Sequence, residues 1–338
     1  MKSITLNGPG SVSIINQELD NSFDSLAVLR VISSGLCAAD SYLWSGHHPW
    51  DITYPIVPGH EIFGEVISVS SSINSDLKVG SKVAVQVNVP CYECEQCIEK
   101  KFNMCVVKKH FGSTYKGSFA EQIALPIGAR VHVFKGFIDD LVGGLSETMA
   151  NAIYCSRKFQ ITGDENVLIL GMGSIGACLA HYLKCTFPDL QITVLTSSEE
   201  KKRIITNHGL NYTSLDEIWR IQDSCDVIFE TSGHSDNFLA GLTALKPAGT
   251  AVIYGVFQEK MLFDFNVVSE FKELKLIGGH LADDKSFELS IEFLTRQQSE
   301  LKYLISNIVG FQNFTTAFSN PKFRLFKTLF QPTLKEVN

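Results

Sequence analysis

The chain has 338 residues, 45% hydrophobic and 19% charged, with a formal net charge of -7. That length exceeds the size at which one hydrophobic core usually stops growing, so two domains are expected. The acidic balance without like-charge blocks argues against nucleic acid, and no apolar run approaches the roughly 18 residues of a membrane span. The opening "MKSITLNGPGSVSI" lacks the charged-then-apolar order of a secretory leader, so a cytoplasmic protein with a small-molecule substrate is expected.

Up to about residue 145 the chain reads as short β-rich runs between Gly, Pro and Ser: "LAVLRVISS", "EIFGEVISVS", "SKVAVQVNV" and "SFAEQIALP". These predict a mainly antiparallel β domain. Between the first two runs lies "CAADSYLWSGHHPWDITYPIVPGHE", residues 37 to 61. It offers Cys37, His60 and Glu61, a dispersed mixed set of the kind a catalytic zinc takes when one position must stay open. Composition alone makes this only suggestive. His47, His48, Pro49 and Trp50 in its middle are expected to form a loop that shapes a substrate pocket.

The third run leads into "CYECEQCIEKKFNMC", with Cys91, Cys94, Cys97 and Cys105 spaced C-x2-C-x2-C-x7-C. Four thiolates this close enclose a tetrahedral zinc with no open position, which marks a structural site. An iron–sulfur cluster accepts the same donors, but nothing else in the chain suggests electron transfer. Glu93, Glu95 and Glu99 offset Lys100 and Lys101, which weighs against a nucleic-acid-binding ribbon. The remaining cysteines, Cys155, Cys178, Cys185 and Cys225, are expected to be buried and inert.

From about residue 164 the pattern becomes strand, loop and helix in repetition. "VLILGMGSIG" places Gly171, Gly173 and Gly176 in G-x-G-x-x-G register after an apolar strand and before a helix, whose face is predicted from Ile175, Leu179 and Leu183. The first Gly allows the turn, the second lets backbone (here followed by Ser174) approach a pyrophosphate, and the third packs helix on strand. A parallel sheet follows from "QITVLT", "CDVIFETSG", "GTAVIYGVF" and "LKLIGG". At the end of "QITVLT", where an NAD site usually carries a carboxylate, stand Thr196, Ser197 and Ser198, with Lys201, Lys202 and Arg203 behind them. Hydroxyls and cations favour a 2'-phosphate, so NADP(H) is expected over NAD(H). A solvated helix face balanced by Glu199 and Glu200 is the other reading of those cations. After Gly279 come an amphipathic helix, "DKSFELSIEFLTRQ", and a closing strand in "FRLFKTLFQP".

Taken together, "GLCAAD", "YPIVPGHEIFGEV", the four-cysteine lobe, "SETMANAIY" and "GMGSIG" resemble the zinc-containing medium-chain dehydrogenase/reductase family, in order and across nearly the whole chain. The resemblance implies an α/β protein: a GroES-like, mainly β catalytic domain at 1–149 and 281–338, with the zinc lobe at about 88–108, and a Rossmann domain at 150–280. It also implies two zinc ions per chain and a homodimer or homotetramer, with the "GTAVIYGVF" region as the place to look for the interface.

Carried over by position, Cys37 and His60 match catalytic zinc ligands. Glu61 matches a carboxylate at or just behind the metal. "SETMANAIY" is similar to the polyol dehydrogenase branch and puts Glu147 at a further ligand position, with Thr148 where Pro is usual. Asp40 matches an orienting acid. Ala39 stands where many relatives carry the Ser or Thr that starts a proton relay.

The implied activity is interconversion of a secondary alcohol and a ketone on a polyol, sugar or sugar phosphate, with Lys116, His110, His280 and Lys285 as candidates for a substrate phosphate. "CAAD" and "FPDLQITVLTSSEEK" look similar to ribulose-5-phosphate reductases, whereas "YPIVPGHEI" and "TSSEEKK" also resemble cinnamyl-alcohol-type reductases. A non-catalytic dinucleotide-binding relative is the reading from a different class, with Ala39 in its support.

Overall fold

The structure, a computed structural model, describes residues 1–20, 23–48, 52–70, 77–319 and 325–334. Pro49 and Trp50 of the expected pocket segment lie outside them. The chain forms two compact units, 1–150 with 282–338, and 151–281.

The first unit opens with a hairpin of β1 (Lys2–Gly8) and β2 (Ser11–Asn16). The long strand β3 (Ser25–Leu36) follows, with Ala27, Leu29 and Val31 buried at alternate positions, as one inward sheet face requires. Helix α1 (Ala38–Ser45) starts directly after it, then β4 (Glu61–Val69), β5 (Lys82–Val85) and the short β6 (Asn88–Val89). The cysteine lobe holds α2 (Glu95–Ile98) and leads to β7 (Lys109–His110), which pairs with β6. β8 (Gln122–Pro126), β9 (Val131–Val133) and helix α3 (Asp140–Gly143) complete this part, and helix α4 (Ser146–Ser156) runs across the boundary between the units.

The second unit is a six-stranded parallel sheet. Its strands are β10 (Asn166–Leu170), β11 (Gln191–Leu195), β12 (Asn211–Thr213), β13 (Cys225–Glu230), β14 (Leu245–Ile253) and β15 (Lys275–Gly278), in the order β12-β11-β10-β13-β14-β15. Helices α5 (Ser174–Thr186), α6 (Glu199–Asn207) and α7 (Ser235–Ala244) connect them. Strand order reverses at β10, whose neighbours are β11 and β13; such switch points are where open α/β sheets take ligands. The buried side of α5 is broader than the predicted stripe. Leu179 and Leu183 are buried together with Ala177, Cys178, Ala180 and His181, while Ile175 is only half-buried. "GTAVIYGVF" runs from β14, which is paired on both sides; among the described residues the edges of this sheet are β12 and β15.

The chain then adds α8 (Asp284–Gln297), β16 (Ile305–Val309), α9 (Phe314–Ser319) and β17 (Lys327–Phe330) to the first unit. β17 pairs antiparallel with β3 and parallel with β16, completing a seven-stranded sheet in the order β16-β17-β3-β4-β5-β9, with β8 also on β3. The sheet is antiparallel as expected except at β16–β17. Its core gathers Leu29, Val31, Ile62, Val66, Val83, Val85, Phe111 and Leu125. Among the described residues, no helix is long and apolar enough to cross a membrane. Cys155, Cys178 and Cys225 are buried, but Cys185 is exposed: it follows the buried Cys178 and His181 along one face of α5 but lies in the last turn of the helix.

Candidate active site

Sheet register assembles the first candidate site. β3 and β4 pair so that Gly35 faces Glu61, and β17 pairs so that Thr328 faces Leu36. Cys37, one residue past β3, and His60, one residue before β4, therefore meet at the same sheet end. Lys327 arrives there from 290 residues beyond Cys37. One ligand atom from each of Cys37, His60 and Glu61 lies within 4.8 Å of the others. Gly35 is needed for this approach: a β-carbon there would fall 1.9 Å from Glu61 Oε2.

The tetrapeptide "CAAD" positions the acid. Cys37 caps α1, and Asp40, three residues on, accepts the Cys37 N–H through Oδ2 at 2.9 Å, half of a capping box. Asp40 is fully buried, and among the described residues its Oδ1 has no hydrogen-bond partner but lies 3.6 Å from His60 Nδ1. A carboxylate at Nδ1 fixes the imidazole and leaves Nε2 for a metal. Burial by itself lowers the His60 pKa, but Asp40 and the Cys37 thiol beside it raise it well above its usual value. Protons and metal thus compete for this ring. A softer thiolate, an imidazole and a carboxylate, backed by a buried acid with one oxygen turned to His60 Nδ1, fit a zinc ion.

Glu61 has two further partners. Lys327 Nζ donates to its oxygens at 2.6 and 2.8 Å, each side chain being 3% exposed, and Thr148 Oγ1 donates to Oε2 at 2.9 Å. Glu147, in the first turn of α4 and 8% exposed, lies outside the converging trio, and its charge acts on Lys327. Lys327 escaped the reading of the sequence; its signal is a lone charge inside the apolar closing strand "LFKTLF". Thr148 was noted only for the Pro it replaces, whereas its hydroxyl is a donor that Pro lacks.

In the cysteine lobe, Sγ separations are 3.5 Å for Cys91–Cys105 and 3.9 Å for both Cys91–Cys97 and Cys94–Cys105. A tetrahedron with metal–sulfur bonds of about 2.3 Å has edges of about 3.8 Å, so these thiols already stand at the spacing of a shared zinc. Backbone N–H groups of Val106 and Cys97 lower the Cys94 thiol to about 6, while burial pushes Cys97 up to about 12. Four thiolates together therefore need a cation.

In the second unit each glycine of the loop has a distinct reason. Gly171 has φ +99° and touches Ser232, Gly173 has nothing within 4 Å of where a β-carbon would sit among the described residues, and Gly176 packs on the Gly171 carbonyl. The open flank at Gly173, with Ser174 beginning α5, leaves room at a helix N-terminus of the kind that can hold a pyrophosphate. At the end of β11, Thr196 Oγ1 accepts from the Ser198 N–H, and the Ser198 hydroxyl caps α6 by accepting from the Lys201 N–H. Ser197 sits between them. Lys202 pairs with Glu199, and burial, against the pull of Glu200, lowers the Lys201 pKa. Of the candidates for a substrate phosphate, Lys116 donates to Gln17 and Lys285 pairs with Glu288.

Fold and site together define an oxidoreductase of the alcohol dehydrogenase type. The "Alcohol dehydrogenase GroES-like domain" family matches residues 24–135, and "Glucose dehydrogenase C-terminus" matches 145–330. The chain is 26% identical to the erythritol/L-threitol dehydrogenase of Mycolicibacterium smegmatis, covering 83% of each chain. It is 27% identical to a probable D-xylulose reductase A of Aspergillus clavatus, covering 87% of this chain and 86% of the relative. The crystal structure of an Escherichia coli alcohol dehydrogenase, RspB, with NADH superposes with a TM-score of 0.87 at 26% identity, covering 98% of this chain and 99% of that one. The chain belongs to the zinc-type medium-chain dehydrogenase/reductase family of polyol dehydrogenases and is an enzyme of that class.

Proposed function

We propose that this enzyme interconverts a secondary alcohol and a ketone on a polyol or sugar, using zinc and preferring NADP(H). The convergence of Cys37, His60 and Glu61 on one buried point, with Asp40 behind His60, carries the reading. Relatives whose names refer to erythritol, threitol and xylulose support a polyol substrate. Zinc, when bound, supplies a Lewis acid at the substrate oxygen, and the nicotinamide supplies or takes the hydride.

The chain's own residues do the rest. Cys37 and His60 would hold the metal, Asp40 against Nδ1 would orient the His60 ring, and Glu61 or Glu147 would supply a carboxylate. Ala39 has no hydroxyl, so the alcohol proton leaves through water or through a neighbouring hydroxyl of the substrate itself. A polyol brings such a hydroxyl with it. Because Lys116 and Lys285 already have partners, an unphosphorylated polyol fits better than a sugar phosphate. A strand end with Thr196, Ser197, Ser198 and Lys201 and no carboxylate supports NADP(H), although the Escherichia coli neighbour holds NADH. Four thiols at tetrahedral spacing, Cys91, Cys94, Cys97 and Cys105, support a second, structural zinc. The unpaired edge of β15 supports a homodimer, or a homotetramer built from it.

An activity panel of erythritol, sorbitol, ribulose 5-phosphate and cinnamaldehyde, with NADP(H) and NAD(H), tests the proposal. Turnover of the polyols with NADP+ supports it. Turnover confined to cinnamaldehyde would overturn the substrate class, and a clear NAD(H) advantage would overturn the cofactor preference.

A further inference from the structure

The Rossmann unit holds a buried acid that neither the zinc sites nor the glycine motif accounts for. Glu230 ends β13, is fully buried, and lies in register with Leu170, the last residue before the glycine loop, and with Ile253 at the end of β14. A carboxylate in an apolar sheet costs several kcal/mol unless its oxygens are well paired. One oxygen is paired generously: Oε1 accepts from the Ser232 N–H at 2.8 Å, the Ser232 hydroxyl at 2.6 Å and the Gly233 N–H at 2.9 Å. The other lies against Gly255, where an added β-carbon would fall 2.2 Å from it. The Glu230 backbone carbonyl accepts the N–H groups of Tyr254 and Gly255.

The three residues so gathered, Thr231, Ser232 and Gly233, form a turn that leans on the cofactor loop. Thr231 Oγ1 donates to the carbonyls of Leu170 and Gly171, both at 3.1 Å, and the Thr231 N–H donates to Leu170 as well. A β-carbon on Gly171 would lie 2.7 Å from the Ser232 β-carbon, and one on Gly176 would lie 2.8 Å from the Thr231 hydroxyl. Gly233, at φ +67°, presses on the Val256 carbonyl. The Ser232 hydroxyl in turn accepts from the His234 N–H and from Asn237. One carboxylate thus ties together the strand-end loops that follow β10, β13 and β14, at the sheet edge where a ligand of this fold binds.

We infer that Glu230 is a positioning residue for the dinucleotide. It sets the height and tilt of the Thr231–Gly233 turn against Gly171 and Gly176, and through them the aperture of the pyrophosphate cradle, without itself touching the cofactor. This rests on the reading of the glycine loop as a dinucleotide site. The hydrogen-bond pattern calls for an acceptor at Oε1 rather than for a charge as such, which separates the amide from the methyl replacement.

The test is titration of the zinc-loaded enzyme with NADPH and NADH, followed by protein fluorescence, for the wild type, Glu230→Ala, Glu230→Gln and Thr231→Val. Glu230→Ala is expected to weaken cofactor binding about tenfold or more, as loss of about 1.4 kcal/mol or more of loop organisation implies. Glu230→Gln, which keeps a carbonyl oxygen for the three donors, recovers most of that loss. In steady state the KM for cofactor should rise in Glu230→Ala while the KM for the polyol stays put, a split that general loosening of the fold would not give.

Should Glu230→Ala fail to fold, Thr231→Val carries the test, because it cuts only the bonds to Leu170 and Gly171 and should weaken cofactor binding in the same direction. Folded Glu230→Ala with wild-type cofactor affinity, or Glu230→Gln as weak as Glu230→Ala, would overturn the inference. Wild type that binds neither dinucleotide would instead overturn the reading of the loop on which it rests.

Discussion

Lys327→Met perturbs the least expected element of the metal end of the sheet. The ammonium meets both oxygens of Glu61, at 2.6 and 2.8 Å, with both side chains 3% exposed, and it also donates to the Leu36 carbonyl at 3.3 Å. Methionine fills a similar volume, so little is lost in packing. What changes is that Glu61 keeps Thr148 as its neutral donor and loses its counter-charge. Removing one partner of a buried ion pair costs about 3–5 kcal/mol, because the other charge stays behind uncompensated.

The assay is urea unfolding followed by intrinsic fluorescence, read at the transition of the first unit, since a chain of two units need not unfold in one step. A second variant supplies the control. Glu61→Gln with Lys327→Met removes both charges of the pair and should regain most of the loss, giving a coupling energy of several kcal/mol in a double-mutant cycle. Lys327→Met within about 1 kcal/mol of wild type, or a double variant less stable than either single one, would refute the reasoning, since neither is compatible with a desolvated, mutually dependent pair.

Three other expectations follow from the same kind of accounting. His132 stacks on Phe287 and faces the Gln86 amide; burial, with Arg130 adding to it and Asp284 opposing, lowers its pKa from 6.5 to about 4. The folded state resists a proton that the unfolded chain takes up, so stability should fall by up to about 3 kcal/mol as pH drops from 6.5 toward 4, and His132→Phe should flatten that fall in acid-unfolding curves. Cys97→Ser should release one zinc per chain and lower the thermal midpoint while leaving NADPH titration unchanged; retention of all the metal would count against the four-thiolate site. Lys201→Ala should raise the NADPH dissociation constant roughly tenfold, the worth of one charge-assisted contact, and leave that for NADH in place; equal effects on both would return Lys201 to the solvated helix face.

How much of this could be read beforehand depended on the range of the interaction. Runs such as "LAVLRVISS" and "NVLIL" became β3 and β10 because alternation and continuous apolarity are local consequences of which faces are buried. The cysteine spacing and the three glycines were legible for the same reason, since each site is closed within a few residues of chain. The capping geometry of Asp40 follows from its separation of three residues from Cys37, which "CAAD" shows locally, while its approach to His60 Nδ1 needs β4 beside β3.

Lys327 and Glu230 were not legible. The first becomes a partner of Glu61 only when β17 returns to β3, and the second gains its role only when three strand ends converge. Strand order was not legible either: "GTAVIYGVF" and "LKLIGG" are both apolar, and pairing rather than composition puts β14 inside the sheet and β15 at one edge. Cys185 is exposed because it stands in the last turn of α5, although it continues the face of the buried Cys178 and His181, and the helix end is not marked in the sequence.

The most direct measurement of the central claim is the zinc content of purified protein, wild type beside Cys37→Ala, by metal analysis. The account gives two zinc ions per chain in the wild type and one in Cys37→Ala, with alcohol turnover lost and NADPH binding kept. An unchanged zinc content in Cys37→Ala, with turnover intact, would contradict it.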